Sequence, residues 1–274
     1  MNIGITGAND FLGIHTLNRL KNNPEVNGVE IFEKSGSDIL NKKSVEVFVS
    51  GKDVIIHLAA VHRAEDIELM RTNLLGTLSL VKAIKETNPD CRLLFSSSFQ
   101  VYANSTKEDV IGEDFPLGPT TTYGFSKKFE EELILSNVKD SAVFRISNVY
   151  GPGCRPFDNS VVATFIHLAK EGKEIIVTGS GDQSKDFVFV DDVVDAFELA
   201  VFSKEKGIFN ICTGESVSIN RLVGLLNKDF PRLKVARRTG EDGGFSTRGS
   251  CKKAEKIIKW KPRTLFEDGL KKCE

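Results

Sequence analysis

Over the first 150 residues, short apolar runs alternate with segments whose apolar positions recur every three or four residues. The runs MNIGIT, VEIF, DVIIHLA, RLLFSSS and SAVFRIS read as strands, and the spacing over 11–22, 68–86 and 126–136 predicts helices between them. Strands that alternate with helices must be joined by crossovers, so the pattern predicts an α/β fold, a doubly wound parallel sheet of Rossmann type. No internal repeat or low-complexity tract interrupts it.

Beyond Tyr150 the texture changes to the Gly/Pro-rich GPGCRPFDN, then a helix-like VVATFIHLAKEG and the loop TGSGDQSKD. The expected division is a dinucleotide-binding domain over 1–150 and a smaller, discontinuous substrate-binding lobe within 151–274. Residues 187–212, with FVFV and DDVVDAFELAV, are expected to return to the first domain.

Composition narrows the function. Lys and Arg number 37 against 38 Asp and Glu, so no global field recruits nucleic acid or an anionic membrane. The N-terminus lacks the basic and long apolar regions of a secretory signal, and no run reaches membrane-spanning length, so a cytoplasmic location is expected. Cys91, Cys154, Cys212, Cys251 and Cys273 are scattered without a C-x-x-C pair, which fits reduced thiols. His15, His62 and His167 show no ligand spacing, and His57 lies in a strand, so no metal is expected.

Between the first strand and first helix stands a turn in which Gly7, Asn9, Asp10, Phe11, Leu12 and Gly13 would aim helix N-terminal amides at a pyrophosphate. A glycine is expected at its middle position, and Asp10 stands there. Its carboxylate would either repel the pyrophosphate or cap the helix. Glu33, at the end of the second strand, would accept bonds from the adenosine ribose and favour NAD. Lys34 could instead meet a 2′-phosphate, so NADP stays open, and Asp38 could reach the adenine amine.

DVIIHLAAVHR, RTNLLGTLSLVKAI, LLFSSSFQVY, YGFSK and RISNVYGPG occur in that order at compatible spacings. Together they resemble the NAD-dependent epimerase/dehydratase family of extended short-chain dehydrogenases, over nearly the whole chain. The resemblance implies hydride chemistry on a nucleotide-diphosphate sugar, as in the supply of polysaccharide precursors. It makes Tyr123 the acid/base and gives Lys127 two tasks, lowering the phenol pKa and holding the nicotinamide ribose. The two residues lie four apart, one helical turn, so both can face one site. Ser98, with Ser97 next, aligns with the hydroxyl that bonds the reacting sugar oxygen. Leu58, Ala59, Ala60 and Asn73 fall at the cofactor.

For the substrate, the resemblance points to Phe99, Gln100, Asn148, Lys185 and Arg248, with Arg237 or Arg238 as further cations. Lys185 stands where the family usually has Arg, and a lysine does not reproduce that bidentate fork. Trp260, in a closing Trp-x-Pro, reads as a packing anchor. A homodimer through two helices is the family's usual assembly. Dehydratases of the family carry an Asp-Glu pair where this chain has Phe99-Gln100, which disfavours 4,6-dehydration. A 4-epimerase is the preferred reading and an NAD(P)H-dependent 4-keto-sugar reductase the alternative. A catalytically inactive dinucleotide-binding regulator, which Asp10 and Lys185 would suit, is the alternative from another class.

Overall fold

In the computed structural model, residues 1–32, 38–158, 160–240 and 246–273 are described. The first half runs β1 (Asn2–Thr6), α1 (Phe11–Lys21), β2 (Gly28–Phe32), α2 (Lys42–Val49), β3 (Val54–His57), α3 (Asp66–Met70), α4 (Gly76–Thr87), β4 (Arg92–Ser98), α5 (Thr122–Asn137) and β5 (Ser141–Ile146). The second half runs β6 (Asn148–Tyr150), α6 (Val161–Lys170), β7 (Glu174–Thr178), β8 (Ser184–Phe189), α7 (Val190–Val201), β9 (Gly207–Ile211), β10 (Ser216–Ser218), α8 (Ile219–Asp229), β11 (Lys234–Arg238), α9 (Lys252–Ile257) and α10 (Phe266–Cys273).

Six strands form one parallel sheet in the order β2-β1-β3-β4-β5-β9. Alternate side chains of these strands enter opposite cores, as the two-residue period of a strand requires. Ile3, Ile5, Ile56 and Phe144 pack with Phe197 and Trp260 on one side. Ile55, Leu93, Phe95 and Val143 pack with α2, α4 and α5 residues such as Phe48, Leu80 and Ile134 on the other. Helices on both faces make the sheet doubly wound. Trp260 is a buried anchor whose indole donates to the Asp192 carbonyl at 2.7 Å.

Two predicted elements differ. The helix expected over 68–86 is broken by a π-helical turn, Arg71–Leu75, that carries Asn73. The apolar FVFV segment does not join the large sheet: β8 pairs with β6 and β10 in a separate three-stranded sheet, while α7 and β9 return to the large one. An apolar run signals burial without naming the sheet, and Phe187 and Phe189 are buried against Tyr150, Phe266 and Leu270 of a second core.

Candidate active site

Strand order reverses between β1 and β3, so a crevice opens at their C-terminal ends, where ligands of such sheets bind. Gly7 lies there with φ +73°, and a Cβ on it would stand 2.6 Å from the Ala59 nitrogen. A Cβ on Gly13 would collide with the Gly7 carbonyl, so glycine is required for packing at both ends of the turn. The middle position differs. Asp10 has φ −91° and ψ 170°, open to any residue, and its exposed side chain makes no cap hydrogen bond. The capping role open to Asp10 in the sequence is therefore not taken up. Asn9 is exposed, while Phe11 and Leu12 are half-buried and packed against the second core. The glycines and first-turn amides of α1 fit a dinucleotide pyrophosphate, with the Asp10 carboxylate as the opposing charge.

Glu33 and Lys34 lie outside the described residues. Asp38 is exposed, and its carboxylate accepts from the Leu40 amide at 2.9 Å. Leu58, Ala59 and Ala60 form the half-buried loop after β3, where the Ala59 amide donates to Thr6 Oγ1 at 3.2 Å. Asn73 is buried and staples this loop to α5. It accepts from the Val61 amide at 2.7 Å and donates to the Val61 carbonyl at 2.9 Å and Ser126 Oγ at 3.1 Å. It therefore braces the loop after β3 against α5.

Thr121 caps α5 by accepting from the Gly124 amide at 3.0 Å, which starts the helix early enough to put Tyr123 in its first turn. A Cβ on Gly124 would strike the Gln100 carbonyl, so this glycine lets the end of β4 approach that turn. Lys127 is buried, with Nζ 4.4 Å from the Phe95 ring centroid and 5.7 Å from that of Tyr123. Burial raises the half-buried Tyr123 phenol above its ordinary pKa of 10; Lys127 pulls it down and Glu130 pushes it up.

The serine run divides by strand alternation. Ser97 is buried and donates to Glu131, which turns it away from the crevice. Ser98 is half-buried at the strand end and accepts from the Gln100 amide at 3.2 Å. Gln100 lines a cavity of about 360 Å³ with His62, Leu69, Thr121, Thr122 and Tyr123, and its carbonyl oxygen accepts from Thr121 Oγ1 at 2.8 Å. Phe99 is buried edge-on against Tyr102.

His62, missed as a site residue in the sequence, stands edge-on to Tyr123 with centroids 6.4 Å apart and reaches Asp158 at 3.2 Å. Glu130 and Glu131 were also missed, because charged residues on a helix ordinarily read as a solvated face, as was Arg145 within the otherwise apolar strand β5. His57 is buried and bonded through both ring nitrogens, to Thr6 at 2.6 Å and Thr77 at 2.8 Å. Burial, with Lys127 nearby, lowers its pKa to about 3.

On the smaller lobe, Asn148 is half-buried and donates to the Asp186 carbonyl at 3.2 Å. Lys185 is half-buried in β8, and burial lowers its ammonium pKa. Arg248 donates to the Glu108 carbonyl at 3.3 Å, and its buried Nε has no hydrogen-bond partner among the described residues. Arg237 is held by the Ser180 carbonyl at 2.7 Å and by Asn220 at 2.9 Å, away from this group. Asp186 accepts from the amides of Thr213, Gly214 and Gly249, joining the segments that carry Lys185 and Arg248.

Residues 3–212 match the model of the NAD dependent epimerase/dehydratase family, a span that includes the glycine turn, α5 and Asn148. The chain belongs to this family. It is 28% identical to a UDP-N-acetyl-α-D-glucosaminuronate decarboxylase from Bacillus cytotoxicus, over 97% of this chain and 94% of that protein. A UDP-glucose 4-epimerase from Thermotoga maritima, solved with UDP-glucose, is 26% identical with a TM-score of 0.87, covering 99% of this chain and 96% of its own. MoeE5, solved with UDP-glucuronic acid and NAD, is likewise 26% identical with a TM-score of 0.88, covering 100% of this chain and 97% of its own. Family membership thus joins the crevice to NAD-dependent chemistry, while the relatives act on sugars in more than one way. Among the described residues, no helix is long and apolar enough to cross a membrane and no cluster of three candidate metal ligands occurs.

Proposed function

We propose that this chain is an NAD-dependent enzyme of nucleotide-diphosphate sugars that works at the sugar C4 position, with 4-epimerisation as its reaction. The Tyr123–Lys127 pair on one turn of α5, beside Ser98 at the end of β4, carries the reading. Tyr123 takes the C4 hydroxyl proton and later returns it. Lys127 stabilises the phenolate, and Ser98 bonds the reacting oxygen. The glycine turn would hold the pyrophosphate of NAD, whose nicotinamide, when bound, would supply the hydride acceptor. Asn148 of β6, Lys185 of β8 and Arg248 hold the nucleotide diphosphate. Phe99 faces the interior and Gln100 is an amide, so the dehydratases' acid/base pair has no counterpart.

A 4-keto-sugar reductase is the second reading, and Asp10 favours it, because an exposed carboxylate in the glycine turn opposes the tight cofactor retention that an epimerase needs. Exposed Phe125 and Phe129, one turn apart on α5, offer an apolar face for a homodimer. The test is product analysis by NMR with UDP-glucose, UDP-galactose and UDP-glucuronic acid, with Tyr123→Phe as control. Epimer formed without added cofactor supports the proposal. Oxidation of NAD(P)H with a 4-keto sugar alone supports the reductase. A folded protein that turns over none of these refutes both.

A further inference from the structure

Behind Lys127 runs a buried chain of hydrogen bonds that neither proposed reaction uses. Its directions follow from the available donors and acceptors. Thr77 spends its one proton on the Glu130 carboxylate and so accepts from His57 Nε2, which leaves Nδ1 of the neutral ring to accept from the Thr6 hydroxyl at 2.6 Å; Thr6 Oγ1 in turn accepts from the Ala59 amide. His57 Nε2 then carries the proton and donates to Thr77 Oγ1 at 2.8 Å, and Thr77 donates to Glu130 Oε1 at 2.6 Å. Glu130 is wholly buried, and among the described residues its other oxygen, Oε2, has no hydrogen-bond partner. That oxygen lies 3.5 Å from Lys127 Nζ. The chain thus leads from the loop packed under Gly7 to the ammonium beside Tyr123.

A carboxylate in this place needs a reason, since burial without full hydrogen bonding is costly. We propose that Glu130 is a positioning residue: hung from Thr77, its carboxylate holds the Lys127 ammonium in place and offsets the field that ammonium exerts on Tyr123. The proposal rests on Tyr123 being the acid/base. Other charges near the pair leave this task to Glu130. His57, from β3, stays neutral down to about pH 3. Glu131 is taken up by Arg145 of β5, and His62, from the loop before α3, faces the far side of the Tyr123 ring toward Asp158. Burial raises the Glu130 pKa while Lys127 and the Thr77 bond oppose the rise.

The consequence is a phenol that gives up its proton at higher pH than an unopposed Tyr-Lys pair would. Ultraviolet titration of tyrosinate in the full-length protein reads it directly, with no sugar present. The chain has three tyrosines; burial pushes Tyr102 up to about 12 and Tyr150 higher still, and subtraction of the Tyr123→Phe titration isolates Tyr123. Glu130→Gln, equal in shape without the charge, is expected to lower the Tyr123 midpoint by about one pH unit. The Tyr123-dependent limb of the kcat–pH profile moves with it. Glu130→Asp, which keeps the charge, stays close to the parent, and Thr77→Val gives a smaller downward shift. An unchanged midpoint in Glu130→Gln overturns the proposal, as does an equal shift in Glu130→Asp. If Glu130→Gln fails to fold, Thr77→Val decides by the same sign. Because no substrate enters the titration, its result stands apart from any failure of the sugar assays.

Discussion

Glu130 and Glu131 are neighbours on α5, both buried, yet they meet their cations in opposite ways. Arg145 grips Glu131 with three contacts at 2.7, 3.0 and 3.1 Å, Ser97 adds a fourth bond, and the guanidinium lies 4.8 Å from the Tyr102 ring centroid. Lys127 meets Glu130 only at 3.5 Å, and one carboxylate oxygen keeps no hydrogen bond. A planar fork saturates its carboxylate, whereas a point charge on a flexible stem leaves donors for another ligand. The closed pair fixes β4, β5 and α5 to one another. The open pair lies on the side of α5 that carries Tyr123 and leaves bonding capacity unfilled there.

The largest expected effect is on the open side. Tyr123→Phe is expected to lower kcat roughly 10²- to 10⁴-fold with thermal unfolding unchanged; a large loss of stability would break the contrast. Arg145→Met, which strands Glu131, is expected to cost about 3–5 kcal/mol in denaturant unfolding. Lys127→Met should cost much less stability, because Glu130, its pKa already raised, can take a proton; equal losses would show the two pairs to be alike. The two serines sharpen the same contrast. Ser97→Ala is expected to lose about 1–2 kcal/mol of stability, while Ser98→Ala lowers kcat/KM and leaves unfolding unchanged.

His57 supplies a pH test. Its folded pKa of about 3 lies below the ordinary 6.5, so between these values the unfolded chain binds a proton that the folded chain refuses. Its contribution to stability is present above pH 6.5 and falls with pH through that window, by up to about 1.4 kcal/mol per pH unit. His57→Gln is expected to flatten that slope in unfolding titrations. The smallest effect concerns Asp10: removing its exposed charge by Asp10→Gly is expected to tighten NAD binding about fivefold by calorimetry.

Much of this was legible in the sequence because the relevant patterns are local. The five main strands follow from short apolar runs, and the placement of Tyr123 and Lys127 on one face from their spacing of four. What local pattern misses is the direction of burial. Ser97 and Ser98 differ only in which side of β4 they face, and that depends on α5 packing behind the strand. Glu130 and Glu131 look like surface residues until Thr77 and Arg145 arrive from elements more than ten positions away. The FVFV run announced a buried strand correctly but not its partner, since β6 and β10 are set by the second lobe's own packing.

The most direct test of Tyr123-dependent epimerisation uses UDP-glucose deuterated at C4, incubated with the purified protein and followed by NMR. The C4 epimer should appear with the deuterium retained at C4, and Tyr123→Phe should slow its formation at least about 10²-fold. Deuterium lost to water, or an epimer formed equally well without the Tyr123 phenol, would contradict hydride transfer at this site.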